Sequence, residues 1–386
     1  MTFSPQLRIP GPTPLPDSVV RAQSQPMIDH RGPEFAALLR EVTEGARRVF
    51  GTSHDLLVLT CSGTGGMESA VANLVSPGDV VVVAVCGNFG ERWVSILQAY
   101  GAEVVLLEAV WGQPVEPVDL EDVLGAHPEA KIVFLTHNET STGVTNPIAE
   151  LAGVARAADR LVVVDGVSSV SSMPFEADAW GVDVAVSSSQ KGWMAPPGVA
   201  FVSVSPQAWA FQERARSPRF YFDWAQAREW AAKGMTPATP AVSVLFAVQQ
   251  GIRMLEAEGL ENVYARHRRI ADAAAAGLEA LGFTLFAADG FRSVTVTAAV
   301  PPPGVEVTAL RQALRDRYGV MIAGGQGKMT GKMIRIGHLG AVSEGDIIQV
   351  LWALEQSLEE LDVAPAAGRA VRAATEALSR EPVAAG

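Results

Sequence analysis

The chain reads as an α/β protein in two parts: a large domain on a mainly parallel seven-stranded sheet, and a smaller C-terminal α+β domain. Three observations carry that reading. Seven short runs rich in β-branched residues alternate with helical periodicity as far as residue 204. Most of those runs are apolar at consecutive positions, as strands covered on both faces are, rather than alternating. Beyond about Gln250 the texture changes to long, arginine-bearing helices with few apolar runs between them.

Residues 1–16 are proline-rich and irregular, with Gly11 between two prolines. A first helix follows Pro33, where Phe35, Leu38, Leu39, Val42, Ala46, Val49 and Phe50 recur at helical spacing. The strand candidates are Leu56–Thr60, Val80–Val85, Val104–Leu107, Ile132–Thr136, Leu161–Asp165, Val182–Ser187 and Val199–Val204, with helical stretches such as Gly66–Val75, Gly90–Tyr100 and Pro147–Ala158 between them. These elements make up a large domain over 17–255. In a smaller domain over 256–362, Glu258–Leu281 predicts one or two long helices. A strand near Ser293–Ala299, a helix around Val307–Tyr318, a strand Met333–Ile336 and a helix Glu344–Glu359 follow. The last segment, 363–386, is rich in alanine and arginine and suits a peripheral helix or a frayed tail.

With 48% hydrophobic and 19% charged residues over 386 positions, the composition is that of a buried, globular chain. A formal charge of -12 disfavours nucleic acid and anionic membrane as partners. The two cysteines, Cys61 and Cys86, form neither zinc spacing nor a disulfide framework. No stretch approaches the ~20 apolar residues of a spanning helix, and the N-terminus lacks a signal-peptide run. A cytoplasmic protein is the expectation.

Four places carry chemistry. Residues 60–66, Thr-Cys-Ser-Gly-Thr-Gly-Gly, join a strand to a helix; glycines admit an anion to the backbone, hydroxyls add donors, and the helix N-terminus adds positive potential. An unliganded glycine-rich turn is the alternative. Asp165 ends a buried strand, where carboxylates face the ligand crevice of such sheets, or simply cap a turn. Lys191 follows the next strand, 26 residues after Asp165, among small and aromatic neighbours; a desolvated lysine has a depressed pKa and forms imines with aldehydes. Arg335 lies inside an apolar strand, which calls for a planar anion, either a structural carboxylate or a substrate's. That order of parts is what pyridoxal 5'-phosphate demands: a phosphate cup, a carboxylate for the pyridine nitrogen, an imine-forming lysine and a positive group for the substrate.

The stretches PGPTPLP (10–16), SGTGGMESA (62–70), GNFGERW (87–93), THNETSTGV (136–144), VVVDGVSSV (162–170), GVDVAVSSSQKGWMAPPG (181–198) and GKMIRIGHLG (331–340) resemble the class V aminotransferases of pyridoxal-phosphate fold type I. The likeness is nearest to the alanine–glyoxylate and serine–glyoxylate or serine–pyruvate enzymes. The resemblance implies that Lys191 bears the cofactor and moves the substrate proton, and that Asp165 pairs with the pyridine nitrogen. It implies that Ser62, Gly63, Thr64 and Gln190 hold the phosphate. Phe89 would stack on the ring, Val167 would pack on its other face, and Thr140 would approach the ring hydroxyl. Thr236, or its rival Thr239, would reach the phosphate from a second subunit of a homodimer. Arg335, helped by backbone at Gly11, would take the substrate carboxylate.

The implied reaction is ping-pong transfer from alanine, serine or a related small amino acid to glyoxylate or pyruvate. An acidic donor such as aspartate, or a lyase of the same fold, is the alternative. One arginine suffices for one carboxylate, and no second cation for an acidic side chain stands out beyond the pair His30–Arg31. That pair equally suits backbone carbonyls at a helix entrance. The chain also resembles proteins labelled as the small subunit of a soluble hydrogenase, yet lacks the cysteine set of a nickel or iron–sulfur centre.

Overall fold

The consecutive apolar runs pair into one sheet in the computed structural model, which describes residues 5–361, 363 and 367–380. Its strand order is Asp55–Leu59, Ala200–Val204, Val184–Ser188, Leu161–Asp165, Ile132–Thr136, Val80–Val85, Glu103–Glu108. Ala200–Val204 runs antiparallel to both neighbours, while the other pairings are parallel. The exception has a local cause. Parallel neighbours need a long crossover, usually a helix, and no helix separates Val184–Ser188 from Ala200–Val204. The chain doubles back there, and the reversal carries Lys191.

Both faces of the sheet are covered over its central strands, which are apolar at consecutive positions, while the edge strand Glu103–Glu108 is largely exposed and begins and ends with glutamate. Val162 and Val164 join the core beneath helix Pro33–Val49, whereas Leu161 and Val163 join the core beneath helices Gly63–Leu74 and Asn88–Ala99. All four are fully buried, each contributing about 1.5–3 kcal/mol through removal from water.

A second sheet of five strands has the order Gln6–Arg8, Val320–Gly324, Ile334–Gly337, Val296–Val300, Thr284–Leu285. The opening segment is therefore not irregular throughout: Gln6–Arg8 pairs in parallel with Val320–Gly324. Arg8 is ion-paired with Asp346 at 2.5 Å, and Gln6 Nε2 donates to the same carboxylate at 3.0 Å. Three of the four residues between Pro5 and Pro10 form this strand, a run too short to have a periodicity, and long-range pairing alone defines it. Val320–Gly324 is likewise absent from the sequence reading, because its two trailing glycines look like a loop.

Gly259, at φ +82°, separates helices Val242–Glu258 and Leu260–Ala280. Helix Arg369–Leu378 buries Ala370 and Ala374 with Ile270 and Ala274, so this part of the tail is a packed helix; residues 381–386 lie outside the described residues. Among the described residues no helix is long and apolar enough to cross a membrane.

Candidate active site

Strands Leu161–Asp165 and Val184–Ser188 are parallel neighbours with Asp165 opposite Val186, so their carboxyl ends open on one edge of the sheet. Asp165 is buried, and its Oδ1 accepts the Val167 N–H at 2.9 Å. Burial pushes its carboxyl up to about 6, against the pull of the Val167 hydrogen bond and of the Arg92 and Lys191 charges.

After Ser188 the reversing chain is gripped by the N-terminal segment. Thr13 N–H donates to Gln190 O at 3.0 Å, and Thr13 Oγ1 donates to Lys191 O at 3.1 Å. Lys191 Nζ donates to Pro10 O at 2.7 Å. Burial brings its amine down to about 8; Arg335 and Arg92 add to this and Asp165 opposes it. Gly11, at φ +136°, lies against this amine: a Cβ there would sit 2.6 Å from Nζ.

The glycine-rich turn closes a third side. Ser62 is the N-cap of helix Gly63–Leu74, its hydroxyl accepting the Gly65 N–H at 3.4 Å. A Cβ on Gly63 would lie 2.8 Å from Val167 Cγ2 and 3.3 Å from Ser188 Cβ, so the turn presses on the segments that carry Asp165 and Lys191. Gly63→Ala should therefore cost about 1–3 kcal/mol by overpacking. It should also loosen cofactor retention, read as a lower melting temperature and faster cofactor loss on dialysis. An alanine variant as stable and retentive as wild type would refute this packing.

Two groups outside the sequence reading fix this corner. Arg92 donates from Nη1 to Thr64 Oγ1 at 3.0 Å and lies 4.6 Å from the centre of the Phe89 ring. Its position three residues after Phe89, on one helical face, was the available signal. Glu139 is fully buried and accepts from the N–H groups of Phe89 (2.9 Å), Gly90 (3.1 Å) and Ser141 (3.0 Å). Burial raises its pKa while these bonds and the Ser141 hydroxyl lower it. Glu139 thereby positions Phe89 and the adjoining Thr140. A glutamate in a polar stretch carries no sequence mark of burial.

Arg335 is buried in strand Ile334–Gly337, donating from Nε to Gly324 O at 2.8 Å and from Nη1 to Thr140 O at 2.9 Å. Burial lowers its guanidinium to about 10. Among the described residues no carboxylate pairs with it, so a structural ion pair does not account for it. Lys191, Arg335, Phe89, Thr140, Gln326 and Arg311 face one cavity of about 410 Å³, with Gly11 at its edge. Arg311 adds a cavity cation that the sequence, in which only the pair His30–Arg31 stands out, does not reveal.

The remaining expectations divide. Val167 lies between Asp165 and Gly63 as described, and Gln190 Oε1 accepts from the Ser188 hydroxyl. Thr236 does not line the cavity in its own chain; its hydroxyl donates to Ala238 O at 2.8 Å. Thr239 is exposed. Arg31 donates to Thr236 O at 2.6 Å and Pro237 O at 3.4 Å and lies 4.4 Å over the Trp230 ring, which is the backbone-carbonyl alternative for that residue. Burial pushes both Cys61 and Cys86 up to about 12. A softened amine, a buried carboxylate and a hydroxyl-bearing helix N-terminus on one sheet edge fit a phosphorylated pyridine aldehyde.

Comparison with known proteins identifies the family. The family model for aminotransferase class-V matches residues 10–343. A protein of Synechococcus sp. named soluble hydrogenase, small subunit, is 43% identical, covering 97% of this chain and 98% of its own. The L-aspartate–glyoxylate aminotransferase of Paracoccus denitrificans is 38% identical, covering 97% and 96%. The solved alanine–glyoxylate aminotransferase of Nostoc sp. superposes with a TM-score of 0.90 at 32% identity, covering 93% of this chain and 96% of that one. The chain belongs to the aminotransferase class-V family. It is a pyridoxal-phosphate-dependent transaminase of fold type I.

Proposed function

We propose that the protein moves the amino group of a small amino acid, neutral or dicarboxylic, to glyoxylate or pyruvate in a ping-pong cycle. The observation that carries this reading is Arg335, a buried guanidinium without a carboxylate partner, facing the cavity into which Lys191 projects. Bound there, pyridoxal phosphate supplies the electron sink that makes a substrate Cα–H acidic. Lys191 Nζ takes that proton and returns it, as base and then acid. Asp165 would keep the pyridine nitrogen protonated. Ser62, Gly63, Thr64 and Gln190 would hold the phosphate, with Phe89, Val167 and Thr140 lining the place of the ring. Arg335 orients the substrate carboxylate, with Gly11 shaping the edge.

Thr236 serves the site of a second copy, in a homodimer. Phe220 at 85% exposure and Tyr221 at 54% support that assembly, since Tyr221 donates to Thr60 O beside the glycine turn and aromatics are enriched at interfaces. A cytoplasmic setting is supported by two free cysteines.

The aspartate–glyoxylate and alanine–glyoxylate relatives share the acceptor in their names and differ in donor. The test is a half-reaction. A donor amino acid should shift the visible absorbance of the holoenzyme to that of the amine form, and glyoxylate should restore it. No shift with any donor would overturn the activity. A donor shift that neither glyoxylate nor pyruvate reverses would overturn the acceptor.

A further inference from the structure

The cavity concentrates positive charge in a chain whose net charge is -12. Besides Lys191 and Arg335 it receives Arg311, from helix Val307–Tyr318. On that helix Arg315 pairs with Asp316 and Arg317 with Glu360, whereas Arg311 gives only Nε, to Ile322 O at 3.1 Å. Its two terminal nitrogens have no protein acceptor among the described residues.

Both arginines converge on Gly324. The carbonyl of Gly324 takes Arg335 Nε, and a Cβ on Gly324 would lie 3.1 Å from Arg311 Nη1. The absence of a side chain there lets the second guanidinium reach the cavity. Burial lowers the pKa of Arg335, Glu139 opposes this, and the Arg311 charge adds to the lowering. Glu139 offsets part of this charge, but neither guanidinium makes an ion pair with a carboxylate among the described residues, so the pair leaves room for arriving anions.

A third group points the same way. Gln326 lines the cavity, and its Oε1 is buried without a hydrogen-bond partner. Turning the amide about its terminal bond puts the NH₂ group in that place as a donor. One face of the cavity then offers Arg311 and Gln326, distinct from the Arg335 groups assigned to the α-carboxylate.

We infer that Arg311, with Gln326 beside it, receives the side-chain carboxylate of a dicarboxylic amino donor such as aspartate, and so sets donor specificity. This rests on the reading of Arg335 as the α-carboxylate site. An arginine matches a carboxylate with two parallel N–H bonds, which a neutral side chain of alanine or serine cannot use.

The test uses the holoenzyme with glyoxylate as acceptor and L-aspartate, L-glutamate, L-alanine and L-serine as donors, in wild type and Arg311→Gln. Wild type should favour an acidic donor. The variant should lower the ratio of kcat/KM for aspartate or glutamate to that for alanine by about tenfold or more. Arg311→Lys should restore part of that ratio, because charge remains and the fork is lost. An equal fall for every donor would mean that Arg311 acts on the α-carboxylate or on folding, and would overturn the inference. An unchanged ratio would overturn it too. Absence of turnover with all four donors in wild type would sink the transaminase reading itself, an outcome distinct from lost selectivity.

Discussion

Replacing Lys191 with alanine is expected to reduce amino-group transfer at least about a thousandfold, because the proposed mechanism has one nitrogen both anchor the cofactor and move the substrate proton. The site equips that nitrogen for the task. An ordinary lysine near 10.4 is almost wholly protonated at neutral pH, whereas burial and two nearby arginines bring this one to about 8. A useful share of it is then a neutral nucleophile. Recapture of the cofactor by stripped protein should accelerate with pH and level off above about 8; a midpoint near 10 would show an unperturbed amine. Borohydride reduction of the holoenzyme should leave the cofactor's mass on the peptide containing Lys191, and on no peptide of the variant. The loop should hold its shape without the amine, since Thr13 grips it through backbone atoms. A melting curve tests that, and transamination within tenfold of wild type in a folded Lys191→Ala protein would refute the assignment.

Asp165→Asn should separate stability from function. Asparagine keeps the oxygen that accepts the Val167 N–H but cannot hold the pyridine nitrogen protonated, so turnover should fall by about two to three orders of magnitude. In the cofactor-free protein the carboxyl sits at about 6, above the ~3.9 of an unfolded aspartate. Between those values the folded state binds more protons than the unfolded one. The fold therefore loses stability as pH rises through that window, and the whole cost stands above about 6. The cofactor-free variant should consequently melt at a higher temperature than cofactor-free wild type at about pH 7.5, and the gap should close below about pH 4. A cofactor-free variant that melts lower at about pH 7.5 would show that Asp165 is stabilised as an anion by the protein alone. Near-normal turnover would remove it from the chemistry.

Much of this was legible before any coordinates. The seven apolar runs form the seven strands because burial on both faces leaves an unbroken apolar signature. Lys191, Asp165 and the Ser62–Thr64 turn were legible because each follows a strand directly, and in parallel sheets such positions collect at one edge. Arg335 was legible as a cation out of place in an apolar run. Gln6–Arg8 was not, since its strand character comes from a partner more than 300 residues away, and neither was Val320–Gly324, whose place in the sheet depends on pairing with that segment and with Ile334–Gly337 rather than on local pattern. Thr236 shows a different limit, for the role proposed for it requires a second copy of the chain.

The sequence by itself determined the sheet, the order of the chemical groups along it and the kind of cofactor they can serve, because strand burial and residue chemistry are local properties. The tertiary structure alone decided which side chains meet. It buried Glu139 behind Phe89, set Arg92 on Thr64, and turned Arg311 toward Arg335 while its helix neighbours found carboxylates. Whether an arginine is a solvated charge or part of a binding site depends on the groups that other segments bring to it, and a linear string does not contain those distances.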